Sequence, residues 1–115
     1  MNTAQVDFQQ LRIKHILYKS KIRSVLYGGT YDDTFFSASG PVNVWFTTVG
    51  LSTYHREPEL QQLSVIQKEL NTAAKHYIDL YQAGRIDEAH EGLEKVESHS
   101  EKFLDLLSKM EQRLR

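Results

Sequence analysis

The sequence contains no cysteine, only two prolines and no long apolar run. The absence of cysteine excludes disulfide bonds, thiolate metal ligands and cysteine nucleophiles. No stretch of about 18 apolar residues is present, so we expect no membrane-spanning helix. The first ten residues, MNTAQVDFQQ, lack a basic start followed by an apolar segment. We therefore expect no secretory signal and a cytoplasmic location.

The sequence also has no large excess of either charge sign. It contains 14 basic and 15 acidic residues, which gives a net charge of -1. This balance excludes a globally basic nucleic-acid binder. A glycine-rich phosphate loop, a GxSxG nucleophile motif and an HExxH metal motif are all absent from the sequence. The sequence therefore predicts no enzyme, and its 115 residues fit one domain, 1–115.

What the sequence does contain is apolar residues that recur every three or four positions in three long segments. This spacing predicts amphipathic helices over about 3–27, 58–83 and 86–114. The first stripe is Phe8, Leu11, His15, Tyr18, Ile22 and Val25; the second is Leu60, Leu63, Gln67, Leu70, Ala74, Tyr77 and Tyr81; the third is Ile86, Ala89, Leu93, Val96, Ser100, Phe103, Leu107, Met110 and Leu114. In the first segment Ile13, Ile16 and Leu17 widen the apolar stripe, which indicates more than one neighbour.

The connector 30–57 is rich in aromatic residues and is harder to interpret. The run from Val42 to Val49 has the β-branched and aromatic composition of a strand. Pro41, however, fits the first position of a helix, and a single strand has nothing to pair with. We therefore predict a short helix near 41–48 and, overall, an all-α antiparallel bundle of three long helices. The last helix is long enough to project from such a bundle or to pack against a second subunit.

Polar residues interrupt the apolar stripes at positions that the spacing marks as buried. They are His15, Gln67 and Ser100, and Asn71 follows Gln67 by one helical turn. Unpaired buried polar groups cost about 1–3 kcal/mol, so these side chains are expected to find partners. Two interpretations stay open, namely a hydrogen-bonded core network and a ligand site in the bundle interior.

Four segments together resemble the chemoreceptor zinc-binding domain, a bacterial cytoplasmic helical module. His15 with Tyr18 three residues later is similar to its first helix. Gly40 precedes Trp45 by five residues, as a cysteine does in that family. Gln67 and Asn71 stand where the family has two histidines four residues apart, and the segment from Tyr81 to Ser100 is similar to its final turn and helix.

The resemblance implies a zinc site made of three histidines and one cysteine, of which only His15 is present here. Gly40 has no ligand atom, and the amides of Gln67 and Asn71 are poor zinc ligands compared with imidazole. We therefore expect no metal and no cofactor, and a hydrogen-bonded polar cluster at the vestigial positions His15, Gly40, Gln67 and Asn71.

The resemblance also implies a regulatory function and a homodimer. The expected partner is a chemoreceptor, a diguanylate cyclase or another signalling protein, without nucleic acid or membrane. The candidate interface residues are Tyr18, Ile22, Trp45 and Phe103. One alternative is a peptide-binding adaptor of the tetratricopeptide type, because residues 83–89 resemble its helix junction. Another is the same bundle sensing a different small ligand at the vestigial site.

Overall fold

Helices account for most of residues 2–114, which are the residues that the computed structural model describes, and this part of the chain contains no strand. The elements are α1 (Thr3–Leu26), α2 (Asp33–Phe36), α3 (Pro41–Trp45), a π-helical turn (Phe46–Gly50), α4 (Leu51–Thr53), α5 (Pro58–Gln82) and α6 (Ile86–Arg113). The fold is therefore all-helical, as predicted. Within residues 2–114, no helix has both the length and the apolar character needed to cross a bilayer.

The ends of the long helices follow from local chemistry. Helix α1 begins with a capping box, in which the Asn2 side chain accepts from the Gln5 backbone and the Gln5 side chain accepts from the Asn2 backbone. It ends at Leu26, and Gly28, two residues later, has a φ of 96°. Gly84 has a φ of 85° and separates α5 from α6. Glycine adopts this left-handed conformation without the steric cost that a side chain adds.

The connector is helical in the region around 42–49, whose composition is also typical of a strand. Pro41 occupies the first turn of α3, and helical backbone continues through the π-helical turn to Thr53, beyond the predicted end at about residue 48. The four-residue helix α2 was not predicted. It forms because the Asp32 side chain accepts a hydrogen bond of 3.2 Å from the Phe35 backbone N–H.

Ion pairs show the directions of the long helices. Arg12 of α1 pairs with Glu111 of α6 at 3.0 Å, whereas Lys19 pairs with Glu97, so the two helices run in opposite directions. Arg113 at the end of α6 contacts Glu59 at the start of α5 at 2.7 Å. Helix α6 has 28 residues, about 42 Å at 1.5 Å per residue, and the longest dimension of the molecule is 46 Å. Helix α6 thus lies along the bundle and does not project from it.

The predicted stripes face the interior with a few exceptions. All six residues of the first stripe are buried. In the second, Tyr81 is half-buried and Ile78 joins the core. In the third, Ile86 is 38% exposed, while Gly92, which the apolar pattern did not include, is buried against the ring of Tyr77.

Candidate functional site

His15 lies on the inner face of α1 and is fully buried. Its Nε2 atom lies 2.8 Å from Ser100 Oγ, and its ring stacks on Phe103 with centroids 4.2 Å apart. Burial, with a smaller effect of the Lys19 charge, lowers the pKa of His15 to about 4. The imidazole is therefore neutral at physiological pH. Its Nδ1 atom is buried and has no hydrogen-bond partner within residues 2–114.

A second polar group centres on Asn71, and we call it the Asn71 network. Asn71 Oδ1 accepts from the Tyr18 hydroxyl at 2.6 Å and from Gln67 Nε2 at 2.9 Å. Asn71 Nδ2 donates to Asn43 Oδ1 at 3.1 Å, and Asn43 in turn donates to the Ser37 carbonyl at 2.9 Å. Burial raises the pKa of Tyr18 above its usual range, so its hydroxyl remains a donor. The network ties α1, α3 and α5 together.

The structure brings the predicted site residues into two groups. Gln67 and Asn71 share the Asn71 network, while His15 is paired with Ser100, and no hydrogen bond in the described chain links the two groups. Asn43 was missed in the sequence. The available signal was its position, two residues after Pro41 in a short helix that carries Val42 and Trp45 on its inner face.

Gly40 is buried at the start of α3 and belongs to neither group. A Cβ atom at this position would lie 1.9 Å from the Phe35 carbonyl oxygen, which is backbone and cannot rotate away. The Gly40 N–H donates to the Ser37 carbonyl at 2.9 Å. Glycine is thus required here by close approach of the preceding turn, and a cysteine would need the backbone around Phe35 to move.

The four candidate interface residues lie inside a single chain. Tyr18, Ile22, Trp45 and Phe103 are each at most 2% exposed, and Trp45 Nε1 donates to the Asp7 carbonyl at 3.2 Å. This placement corrects their proposed role, because all four side chains pack into the core of their own chain. A homodimer stays a prediction and has to use other residues.

The contact between Ser100 and His15 has the atom types of a nucleophile and its general base. Both side chains are fully buried, however, and Phe103 covers the imidazole. A substrate has no route to Ser100 Oγ in this arrangement, and no carboxylate of the described chain bonds Nδ1 to orient the ring. The pair therefore acts as a polar contact between α1 and α6.

Side chains that could bind a metal ion are also few around the vestigial positions. No group of three or more His, Asp or Glu side chains within residues 2–114 is arranged to hold a metal ion. A groove of about 340 Å³ lies beside the Asn71 network and is lined by residues that include Gln67 and Lys68. The Gln67 Oε1 atom has no partner among the described residues. A small ligand at this groove stays a prediction.

The exposed side of α1 is the other unusual feature of the molecule. Four aliphatic residues of this helix face solvent, with exposed fractions of 40% for Val6, 67% for Ile13, 47% for Ile16 and 45% for Leu17. By contrast, Val65 is the large exposed aliphatic of α5 and Ile86 that of α6 among the described residues. The residues that widen the first stripe in the sequence are thus left largely exposed by the rest of residues 2–114.

The acidic residues of α6 form a solvated face. Asp87, Glu88, Glu91, Glu94, Glu97 and Glu101 are all exposed, and Glu97 pairs with Lys19. The basic residues of α1 divide into two sets. Arg12 and Lys19 pair with α6, whereas Lys14, Lys21 and Arg23 form no ion pair within the described part of the chain. Complementary packing of the two helices thus accounts for only two of the five basic residues.

Comparisons with known proteins add no further constraint. No protein-family model, no curated protein and no solved structure gave a significant match to this chain. The helix lengths bear on one alternative. A tetratricopeptide repeat fits both of its helices within about 34 residues, whereas α5 and α6 here have 25 and 28 residues. These lengths disfavour an adaptor of that type.

Proposed function

We propose that this chain is a non-enzymatic regulatory module of bacterial signalling, an antiparallel helical bundle that binds a partner protein in the cytoplasm without zinc. The observation that carries the proposal is the row of exposed aliphatic residues on α1. Contiguous exposed apolar surface is typical of protein interaction sites, and the remaining long helices show isolated aliphatics only. The resemblance to the chemoreceptor zinc-binding domain supports the signalling context.

The chemistry at the vestigial positions supports the proposal that the domain binds no zinc. Gln67 donates to Asn71, Asn71 both donates and accepts within the Asn71 network, and His15 is paired separately with Ser100, so each of the three side chains already has a protein partner. A single imidazole with two amides lacks the donor set that structural zinc requires. Hydrogen bonds between neutral groups already connect α1, α3 and α5 at these positions.

Zinc content is the first test of this proposal. Protein purified without chelators is expected to contain less than about 0.1 zinc per chain by elemental analysis, because structural sites need four strong ligands. The His15→Gln variant serves as control, since it removes the one imidazole at the vestigial site. About one zinc per wild-type chain that disappears in His15→Gln would disprove the metal-free assignment.

Partner binding through α1 is the second test. The wild type and an Ile13→Asp/Leu17→Asp variant are used as baits in cells, with capture measured by quantitative mass spectrometry. We expect a signalling protein to be enriched about tenfold or more with the wild type over the double variant, because buried charge opposes apolar docking. Val65→Asp is the matched control, since Val65 is a 55% exposed aliphatic on α5. Equal capture by all three baits would contradict the proposal.

A further inference from the structure

The exposed residues of α1 follow the spacing of a second helix-packing seam. Seven positions alternate in steps of four and three along the outer side of the helix, and all seven are exposed. We call this set the outer seam; it consists of Val6, Gln10, Ile13, Leu17, Ser20, Ser24 and Tyr27. Alternating steps of four and three are the repeat by which one helix packs against another. The inner stripe of the same helix, from Phe8 to Val25, has this repeat and is already occupied by the core.

Positive charge lines both sides of the outer seam. Lys14 and Lys21 follow Ile13 and Ser20, and Arg23 precedes Ser24, so these three cations occupy the positions that flank a helical seam. Two of them are positioned by aromatic rings. Lys21 Nζ lies 5.6 Å from the centroid of the Phe35 ring. Arg23 Cζ lies 5.8 Å from the centroid of the Tyr27 ring. Flanking charges of this kind select the partner in helix pairs.

Acidic residues are almost absent from α1 itself, and the nearest acidic side chains of α6, Glu94 and Glu97, line a groove with Ser20 and Arg23 at one end of the seam. Asp7 is the single acidic residue of α1, and its carboxylate accepts a hydrogen bond of 2.7 Å from the Tyr54 hydroxyl. The partner that complements this surface is therefore apolar along its centre and acidic along its edges. From these observations we propose that the outer seam of α1 binds a helix of a partner protein that carries acidic residues beside its apolar stripe. The proposal rests on the interaction function proposed above and specifies the chemistry of the partner.

A second copy of this chain fits the outer seam less well. It would bring only further positive charge to the flanks, and antiparallel pairing of two copies of α1 would place lysines opposite lysines. The acidic face of α6 offers no alternative surface, because its outer residues are charged and polar without an apolar stripe. Like charges across a helix pair destabilise it, so the charge pattern favours a different protein.

An anionic bilayer would also attract the cations, but it fits the seam itself less well. Gln10, Ser20 and Ser24 interrupt the aliphatic residues and are exposed. Hydrocarbon leaves such polar groups without hydrogen bonds, whereas a partner helix can bond to glutamine and approach closely at serine. The mixture of aliphatic, small and polar residues is thus that of a protein interface.

Two synthetic peptides test the proposal. Both are fluorescein-labelled 28-residue amphipathic helices with leucine at the seam positions; one carries glutamate and the other lysine at the flanking positions. By fluorescence anisotropy we expect the glutamate peptide to bind about tenfold or more tightly than the lysine peptide, and the difference to shrink in high salt. The Lys14→Glu/Lys21→Glu/Arg23→Glu variant should reverse the preference, while Ile13→Asp should abolish binding of both peptides.

The outcomes separate this proposal from the function on which it rests. Equal binding of both peptides, abolished by Ile13→Asp, overturns the acidic partner and leaves the interaction surface intact. Concentration-dependent dimerisation that Ile13→Asp abolishes would identify a second copy as the occupant and overturn the proposal. Binding to vesicles of anionic phospholipid with no peptide binding would overturn it in favour of a membrane. Circular dichroism of each variant confirms that the fold is retained.

Discussion

Replacing Gly92 with alanine lowers the free energy of unfolding by about 1–3 kcal/mol, although alanine is the better helix former. Gly92 is buried in α6, and a Cβ atom there would lie 2.2 Å from Cδ1 and 2.3 Å from Cγ of Tyr77 on α5. These atoms are at the base of the ring, so Tyr77 cannot avoid the contact by moving only its far end. The overpacking exceeds the gain in helix propensity of about 1 kcal/mol.

Urea denaturation of a double-mutant cycle checks this assignment. In a Tyr77→Leu background the ring is gone, so Gly92→Ala should become neutral or stabilising, with a coupling energy above about 1 kcal/mol. Ser98→Ala is the matched control, because Ser98 is exposed on the same helix and alanine there should add a few tenths of a kcal/mol. Additive effects of Gly92→Ala and Tyr77→Leu, or a stabilised Gly92→Ala, would show that α5 and α6 are not this close.

The contact of Gly92 with Tyr77 marks the limit of what spacing alone predicts. Apolar periodicity identified the three long helices to within one or two residues and placed most of the core, because burial of one face is encoded in every turn. A glycine carries no hydropathy signal, so the same method gave Gly92 no role. Its place on the inner face of α6, four residues before Val96, was the one available clue.

The sequence predicted which polar side chains are buried, but not which hydrogen bonds they form with one another. His15, Gln67 and Ser100 were marked as buried by the stripes, and all three are at most 2% exposed. Which polar group bonds to which depends on how far each helix slides along its neighbour, and residue spacing within one helix does not contain that distance. The hydrogen bond between Asn43 and Asn71 was unpredictable for the same reason, because it depends on where the connector crosses α5.

The outer seam is the opposite case. The extra apolar residues of α1 are visible in the sequence, and the structure shows that they are exposed. Ile13, Ile16 and Leu17 predicted a second neighbour for α1, and no element within residues 2–114 covers them. The candidate interface residues Tyr18 and Phe103, which are also large and mainly apolar, are instead buried in the core of their own chain. Size and hydropathy alone do not distinguish a core residue from an interface residue, whereas the exposed fraction in the folded chain does.

Lowering the pH from 7 to 4 is expected to reduce the free energy of unfolding by about 3 kcal/mol through His15 alone. Burial holds its pKa at about 4 in the folded chain, against 6.5 in the unfolded chain. Between these values the unfolded chain binds a proton that the folded chain does not, so stability falls as the pH falls, by up to about 1.4 kcal/mol per pH unit. More than about one pH unit above 6.5 or below 4 the contribution of His15 is nearly constant.

The His15→Gln variant isolates this effect from the acidic residues that titrate at low pH. A glutamine amide nitrogen can take the place of Nε2 beside Ser100, but it does not titrate. Urea denaturation from pH 4 to 7.5 should therefore give a steeper decline for the wild type than for His15→Gln. His76→Gln is the matched control, because His76 is exposed on α5 and should leave the wild-type slope unchanged. Parallel curves for the wild type and His15→Gln would mean that His15 can bind its proton in the folded chain, through solvent access or a partner for Nδ1.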